Sequence, residues 1–206
     1  MQGSGAPVII IVDDDPMVRN AIDDLFRSMG YATRGFESAQ DVLELDLADE
    51  LACIITDVRM PRMGGLEFQK LLAERRDFTP VIFITGYGDI PMTVHAMKAG
   101  AVDFLAKPFR DQDLLDAVNS ALELARERRF SSDERSAAQR LYDTLTPRER
   151  EVMDGVVTGL LNKQIAGALA IAEITVKLHR ASLMRKMGVR TVPELIKYHD
   201  LISRED

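Results

Sequence analysis

The sequence is poor in the residues that cross-link a chain or bind soft metals. It has a single cysteine, Cys53, so no disulfide can form within the chain. Its three histidines, His95, His179 and His199, lack the spacing of a metal site. No apolar run approaches the roughly 18 residues that a membrane-spanning helix needs. These absences exclude a disulfide-stabilised fold and a membrane span, and Cys53 is expected to fill a buried strand.

The N-terminal segment also lacks the features of a signal sequence. It has no basic region, and its apolar stretch, residues 6–12, is short and ends on three aspartates. We therefore expect a cytoplasmic protein with no membrane partner. A length of 206 residues with 46% hydrophobic and 29% charged residues is typical of a globular protein with two domains.

Charge divides the chain into two parts. Residues 1–126 contain 12 basic and 21 acidic side chains, whereas residues 127–206 contain 14 basic and 12 acidic ones. Within the second part, residues 162–190 contain six basic side chains and one acidic side chain, Glu173. Such a concentration of positive charge is suited to nucleic acid. The alternative is that it forms the solvated face of a helical protein-docking domain.

Up to about residue 125, short apolar runs alternate with helical segments. The first run leads into a helix that Asp15 can cap and Pro16 can begin, and Gly30 can end it. Four similar units follow. Five strand–helix units favour a flavodoxin-like, doubly wound, five-stranded parallel sheet. The predicted strands cover residues 8–12, 32–36, 51–56, 81–85 and 102–105.

Four of the apolar runs end on polar residues suited to phosphoryl chemistry: Asp13 with Asp14, Asp57, Thr85 and Lys107. In a parallel sheet these side chains meet at the carboxyl edge, where such sheets bind ligands. Carboxylates gathered there would repel one another unless a cation lay among them, and Mg²⁺ prefers such oxygen ligands. Asp57 is then a candidate nucleophile, with Lys107 and Thr85 holding the transferred group. The alternative for each aspartate is helix capping.

The second half is predicted to be entirely helical. Residues 125–143 are polar and form a helical or charged linker; Ser131 could cap a new helix there, or the preceding helix could run straight through. Thr146, Pro147 and Glu149 form a capping box that begins the next helix. Three further helices are expected at residues 162–170, 173–187 and 192–201.

The strand-end motifs resemble the receiver domain of bacterial two-component response regulators, over about residues 7–124. The motifs are VDDD (12–15), ITDVRMPRMGGLE (55–67), VIFITGYGD (81–89) and MKAGAVDFLAKPF (97–109). The resemblance implies that Asp13, Asp14, Asp57 and the main-chain carbonyl of Arg59 bind Mg²⁺. It also implies that Asp57 accepts a phosphoryl group from a sensor histidine kinase.

Three more roles follow from the same resemblance. Thr85 and Lys107 match the residues that contact the phosphoryl group. Phe104 matches an aromatic residue that turns inward when Thr85 moves. The peptide bond between Lys107 and Pro108 matches one that the family tends to hold in the cis form.

The C-terminal part resembles the four-helix DNA-binding domain of the LuxR/NarL type. The resemblance rests on LTPREREVMDGVVTGLLNKQIAGALAIAEITVKLHRASLMRKMGV, residues 145–189. It implies base-edge contacts for Lys177, Leu178 and Ala181. It implies phosphate contacts for the remaining four DNA-binding residues, which are Lys163, Thr175, Arg180 and Arg185.

Helical geometry supports this assignment independently of the family. At about 100° per residue, Val176, Leu183 and Met187 fall on one face of the helix at 173–187. Residues 177, 178, 181 and 185 fall on the opposite face. The first set is expected to pack, and the second can face a groove.

One residue departs from the family that this part resembles. Relatives carry a basic residue at the position of Ala181, so here only an apolar contact, for instance to a thymine methyl group, is available.

Together the two halves resemble a FixJ-type regulator. This implies a receiver at residues 1–124, a linker at 125–143 and a helix-turn-helix domain at 144–206. The expected partners are double-stranded promoter DNA, a second copy of the chain when phosphorylated, and RNA polymerase as a further candidate. The only expected catalysis is self-phosphoryl transfer and autodephosphorylation.

Rival functions are less well supported by the residues. A haloacid dehalogenase-type phosphatase needs a second aspartate two positions after Asp57, where this chain has Arg59. A nucleotide-binding module would need a glycine-rich loop after the first strand, where this chain has three aspartates. The remaining alternative keeps the fold but makes the acidic site vestigial, so that the protein regulates DNA without phosphorylation.

Overall fold

The computed structural model describes residues 6–47, 50–86 and 90–203. The chain forms two compact units that divide between Arg129 and Phe130, within the segment predicted to be the linker. In this described part, no helix combines the length and apolarity needed to cross a membrane.

The first unit is a parallel sheet covered by helices on both faces. Its strands pair in the order β2-β1-β3-β4-β5, all parallel, which is the flavodoxin-like order, so the predicted fold class is confirmed. The strands are β1 (Val8–Val12), β2 (Ala32–Phe36), β3 (Ala52–Asp57), β4 (Val81–Thr85) and β5 (Asp103–Ala106). The helices are α1 (Pro16–Ser28), α2 (Ala39–Leu43), α3 (Gly65–Glu74), α4 (Ile90–Lys98) and the first part of α5 (Asp111–Asp143), which continues past the division between the units.

The central strands are buried on both faces, which explains why they appear as continuous apolar runs. Ile9 and Ile11 of β1 pack in one cluster with residues of α1 and α5. Ile10 and Val12 point to the other face and pack with residues of α2 and α3. Cys53 lies fully buried in β3, as predicted, and burial raises the pKa of its thiol to about 12.

Local signals place the loop that follows β1. The Asp15 carboxylate accepts a hydrogen bond from the Met17 N–H at 2.8 Å, and Pro16 begins α1. Gly30 ends the helix with a φ of +85°, a conformation that residues with a side chain rarely adopt. The predicted caps are confirmed, and they leave Asp13 and Asp14 at the carboxyl end of β1.

The structure decides between the two alternatives for the linker. α5 continues without interruption from Asp111 to Asp143, so Ser131 lies inside a helix and does not begin a new one. The resulting helix has 33 residues.

The second unit adds helices around a separate apolar core, as predicted. After the end of α5 come α6 (Pro147–Val157), α7 (Asn162–Leu169), α8 (Glu173–Lys186) and α9 (Val192–Ser203). α6 packs against each of the other three. Their core contains Val152, Ile165, Val176, Leu183 and Leu195, all buried.

A buried carboxylate joins α6 to α8. The N–H of Thr146 donates to Glu149 Oε2 at 2.8 Å, which completes the predicted capping box, and Lys186 Nζ of α8 donates to the same oxygen at 2.6 Å. Burial alone would raise the pKa of Glu149, but the hydrogen bonds from Lys186, Thr146 and Ser182 outweigh it and lower the pKa to about 2. The ionised form is therefore the one that stabilises this unit.

This carboxylate makes stability depend on pH. Because the folded-state pKa lies below the ordinary value of 4.5, the stabilisation is complete above about pH 5 and is lost as the pH falls towards 2. Glu149→Gln should lower the free energy of unfolding of the second unit by about 1–3 kcal/mol at pH 7 and flatten its decline in acid. Urea unfolding at several pH values, followed through NMR signals of α6 and α8, measures both effects.

Glu151→Gln is the matched control. Glu151 lies on the same helix and pairs with Arg148 at 2.7 Å, but both side chains are exposed. Such surface pairs contribute about 0–1 kcal/mol, so this variant should resemble the wild type. Equal losses in the two variants would show that the buried position of Glu149 has no special effect.

Candidate functional site

The carboxyl edge of the sheet brings acidic and basic side chains from three strand ends into contact. Lys107 follows β5, and its Nζ lies 2.7 Å from Asp13 Oδ2 and 2.6 Å from Asp57 Oδ2. Its backbone N–H donates to the carbonyl of Thr85 at 2.7 Å, which joins the ends of β4 and β5. The Lys107–Pro108 bond is cis, as the resemblance implies. The structure thus places four of the predicted receiver residues at one site.

Backbone amides orient the two carboxylates. Asp13 Oδ1 accepts the N–H of Asp15, and Asp57 Oδ1 accepts the N–H of Arg59, each at 2.9 Å. Since the second oxygen of each carboxylate binds Lys107, the ammonium lies between two carboxylates that the backbone holds in place. This arrangement leaves the side chain of Asp14 exposed on the adjacent loop.

In this cluster, burial and charge pairing shift the pKa values of the side chains in opposite directions. Burial raises the pKa of Asp13 by more than the hydrogen bonds from Lys107 and Asp15 lower it. Burial alone would lower the pKa of Lys107, but its hydrogen bonds to Asp13 and Asp57 outweigh that effect and raise it. Lys107 therefore keeps its proton and offsets part of the negative charge.

The donor set at this edge suits a hard divalent cation. Asp13 and Asp57 each direct one carboxylate oxygen to the Lys107 ammonium, and carboxylate oxygens are also the ligands that Mg²⁺ prefers. Among the described residues, no three His, Cys, Asp or Glu side chains gather into a metal-binding group. The predicted ligand set of Asp13, Asp14, Asp57 and the Arg59 carbonyl stays a prediction.

The two predicted switch residues lie beside the cluster. Thr85 ends β4 with only 1% of its surface exposed, and Phe104 of β5 is half-buried. The ring of Phe104 lies 6.2 Å from that of Phe83, its partner in register on β4, and it packs in the same cluster as Met92 of α4. Residues 87–89, the end of the VIFITGYGD motif, lie outside the described residues.

Sequence reasoning missed two residues that position the cluster. A Cβ on Gly65 would lie 2.4 Å from the backbone oxygen of Asp57 and 2.9 Å from the ring of Phe83, so only glycine fits at the start of α3. Arg19 of α1 donates to the backbone oxygen of Asp13 at 2.6 Å. The Gly64-Gly65 pair was a detectable turn signal, whereas a lone arginine on an amphipathic helix was not.

A second candidate surface lies on α8. The predicted packing face is confirmed, since Val176, Leu183 and Met187 are fully buried. The opposite face is exposed, and it carries the predicted DNA-binding residues Lys177, Leu178, Ala181 and Arg185. Lys163 of α7 is exposed as well, and Thr175 is half-buried.

The cations of this surface have different partners. Lys177 pairs with Glu173 at 3.1 Å, one turn earlier on α8. Arg180 is half-buried and donates to Asn162 Oδ1 at 3.1 Å, which connects α8 to α7. Lys186 binds Glu149 in the core, so its charge belongs to the packing of the unit. Arg185 donates to Ser182 of its own helix at 3.4 Å.

Comparison with known proteins covers both units. Residues 9–119 match the model of the response regulator receiver domain, and residues 143–199 match that of the bacterial regulatory proteins of the luxR family. Nodulation protein W of Bradyrhizobium diazoefficiens is 46% identical over 202 residues, which cover 98% of this chain and 89% of that protein.

Solved structures also resemble nearly the whole chain, among them those of StyR and FixJ. The structure of response regulator StyR is 44% identical in sequence to this chain and superposes with a TM-score of 0.83. The match covers 95% of this chain and 99% of the StyR chain. Full-length FixJ from B. japonicum shares 34% identity with a TM-score of 0.55, covering 97% and 98% of the two chains. The chain belongs to the two-component response regulators that join a receiver domain to a LuxR-type DNA-binding domain and regulate transcription.

The close approach of Gly65 to Asp57 leads to a prediction. Gly65→Ala forces either the Asp57 backbone or the start of α3 to move, because the atom it meets belongs to the main chain. The sequence predicts that Asp57 accepts a phosphoryl group, and displacing a reacting carboxylate by about 1 Å costs up to about a hundredfold in rate. We expect phosphorylation by acetyl phosphate to slow by about tenfold to a hundredfold, as followed by intact-protein mass spectrometry over time.

Gly167→Ala is the control for this substitution. A Cβ on Gly167 would meet nothing within 4 Å, and the residue lies in α7 of the second unit. Its phosphorylation rate should match that of the wild type. A Gly65→Ala variant with the wild-type rate would contradict the positioning role of this glycine.

Proposed function

We propose that this regulator accepts a phosphoryl group on Asp57 from a sensor histidine kinase, dimerises, and binds promoter DNA through α8. The observation that carries the proposal is the contact of Lys107 with Asp13 and Asp57 at 2.7 and 2.6 Å. A nucleophilic carboxylate next to a fixed cation is what phosphoryl transfer requires, since that reaction depends on positioning and charge stabilisation.

The residues of the cluster divide the chemistry among them. Asp57 attacks the phosphorus with one carboxylate oxygen as the bond to the kinase histidine breaks. Lys107 then binds an oxygen of the transferred group, and the hydroxyl of Thr85 binds another. Mg²⁺, held by Asp13, Asp14, Asp57 and the carbonyl of Arg59, would supply further positive charge to the phosphoryl oxygens. Apart from this transfer and the hydrolysis of the resulting acyl phosphate to carboxylate and inorganic phosphate, we propose no catalysis.

The switch follows from the position of Thr85 and Phe104 on adjacent strands. Drawing Thr85 towards the phosphoryl group vacates space into which the Phe104 ring can turn, next to α4. The exposed side of α4 carries Ile90, Val94 and Met97, which are apolar and suited to pairing with a second copy. Converting a 1:99 equilibrium to 99:1 needs about 5.5 kcal/mol of differential stabilisation, which the phosphoryl contacts must largely supply.

Dimerisation matters because one small DNA-binding unit makes few contacts. Two copies can bind half-sites about one helical turn apart, and the first contact raises the effective concentration of the second unit. Lys177, Leu178 and Ala181 would contact base edges, while phosphate contacts come from Lys163, Thr175, Arg180 and Arg185. RNA polymerase is a further candidate partner at the promoter. Because promoter DNA and RNA polymerase are in the bacterial cytoplasm, we place the regulator there as well.

The role of Asp57 is tested by phosphorylation. Acetyl phosphate with Mg²⁺ should add one phosphoryl group to the wild-type chain and none to Asp57→Asn, because the amide cannot act as the nucleophile. Intact-protein mass spectrometry measures the labelling, and light scattering should show a dimer only for the labelled chain. Equal labelling of both proteins would contradict the assignment, and DNA binding without labelling would favour a vestigial site.

Thr85→Ala separates phosphorylation from the switch. It removes the hydroxyl but keeps Asp57 and Lys107, so it should still accept phosphate. It should dimerise poorly in light scattering because the contact that moves Phe104 is lost. A full-strength dimer would show that Thr85 does not transmit the signal.

The two lysines of the DNA surface should differ in the kind of effect they have. Lys177→Ala should cost about 1–3 kcal/mol on the preferred site and relax preference at one position. Lys163→Ala should weaken all sequences alike and lower the slope of affinity against salt by about one. Competition binding on randomised operators compares them, and indistinguishable specificity profiles would refute the division of roles.

A further inference from the structure

The exposed face of α8 carries a row of apolar side chains that packing does not explain. Ile174, Leu178 and Ala181 follow one another at intervals of four and three residues, so they share one side of the helix. Ile174 and Leu178 are 63% and 65% exposed, and Ala181 is exposed as well. We call these three residues the apolar stripe. It lies opposite the buried residues Val176 and Leu183.

Two cations of α8 lie next to the apolar stripe, and a third is exposed on α7. Lys177 lies beside it on the same helix, Arg185 continues it one turn further, and Lys163 is exposed on α7. The acidic residue on this part of α8, Glu173, is already paired with Lys177. An apolar strip between exposed cations matches a polyanion that also has apolar groups. Duplex DNA is such a partner, and its major groove accommodates an α-helix.

The chemistry of the stripe determines what it can recognise there. In the major groove, guanine, adenine and cytosine present hydrogen-bonding groups, whereas thymine also presents a methyl group. The aliphatic side chains of Ile174, Leu178 and Ala181 can neither donate nor accept a hydrogen bond. They therefore gain nothing from a guanine edge and would leave its acceptors without a partner, but they can bury a methyl group.

We propose that the apolar stripe selects operators by contacting thymine methyl groups in the major groove. This inference rests on the proposed DNA-binding function of α8 and specifies the chemistry of its ligand. Seven residues of helix rise about 10 Å, which equals about three base-pair steps of 3.4 Å. Each half-site should therefore contain two or three thymines within about four consecutive base pairs.

Replacing thymine by deoxyuridine tests the proposal because it removes the methyl group and nothing else. Operators are first selected from random duplexes with the full chain, treated with acetyl phosphate and Mg²⁺. Each thymine of the half-site is then replaced in turn by deoxyuridine. At two or three neighbouring positions the dissociation constant should rise about fourfold, as expected for the loss of one buried methyl group.

Variants assign the positions to residues. Ile174→Ala and Leu178→Ala should each abolish the thymine-to-deoxyuridine difference at one position and keep it at the others. Ala181→Lys should shift the preference at its own position from thymine to guanine, since lysine can donate to the guanine acceptors. Leu161→Ala is the matched control: Leu161 is 70% exposed but lies outside α8, so all the differences should remain.

Three outcomes count against the proposal, and they differ from one another. If duplexes are selected but every deoxyuridine substitution is neutral, the stripe does not contact methyl groups and the proposal is wrong. If the stripe variants keep every difference, other residues contact the methyl groups. If no duplex is selected, the proposed DNA-binding function itself fails.

Discussion

The ammonium group of Lys107, held between the carboxylates of Asp13 and Asp57, is the contact on which the organisation of the carboxyl edge of the sheet depends. It joins the ends of β1, β3 and β5, and a backbone hydrogen bond to Thr85 adds β4. Without the cation, two carboxylates at one sheet edge would repel each other in a partly buried position. The same cation is well placed to bind a phosphoryl group on Asp57, so one interaction serves both the resting fold and the proposed reaction.

The backbone around this cluster is as constrained as its side chains. Gly65 lets α3 begin against the carbonyl of Asp57, and Arg19 holds the carbonyl of Asp13 from α1. Amide groups of Asp15 and Arg59 orient the carboxylates. A movement of the Asp57 loop therefore affects α3 directly, and a movement of Thr85 affects the strand pair that carries Phe83 and Phe104. This connection is the physical basis of the proposed switch, which begins at the carboxylate.

In the second unit, α8 serves two purposes at once. One side packs into the core through Val176 and Leu183, and the buried pair of Glu149 with Lys186 fixes its C-terminal half against α6. The other side is left with exposed cations and the apolar stripe. Because Lys186 is used in packing, the basic stretch contributes fewer cations to the surface than its composition indicates. Rigid packing on one side allows the opposite side to present its residues in fixed register, which base recognition needs.

The sequence by itself determined the flavodoxin-like fold class of the first unit, the helix caps at Asp15 and Thr146, the burial of Cys53 and the two faces of α8. These follow from local periodicity and from residues with strong conformational preferences. It also indicated that Asp13, Asp57, Thr85 and Lys107 share one sheet edge, because parallel strands end on the same side. Only the tertiary structure decided that α5 is continuous, that Lys107 lies between the carboxylates, and that Gly65 and Arg19 support them. The sequence of residues 125–143 is compatible with either form of the linker, and the contacts of Lys107, Gly65 and Arg19 depend on distances between residues that are not adjacent in the chain, which a one-dimensional pattern does not contain.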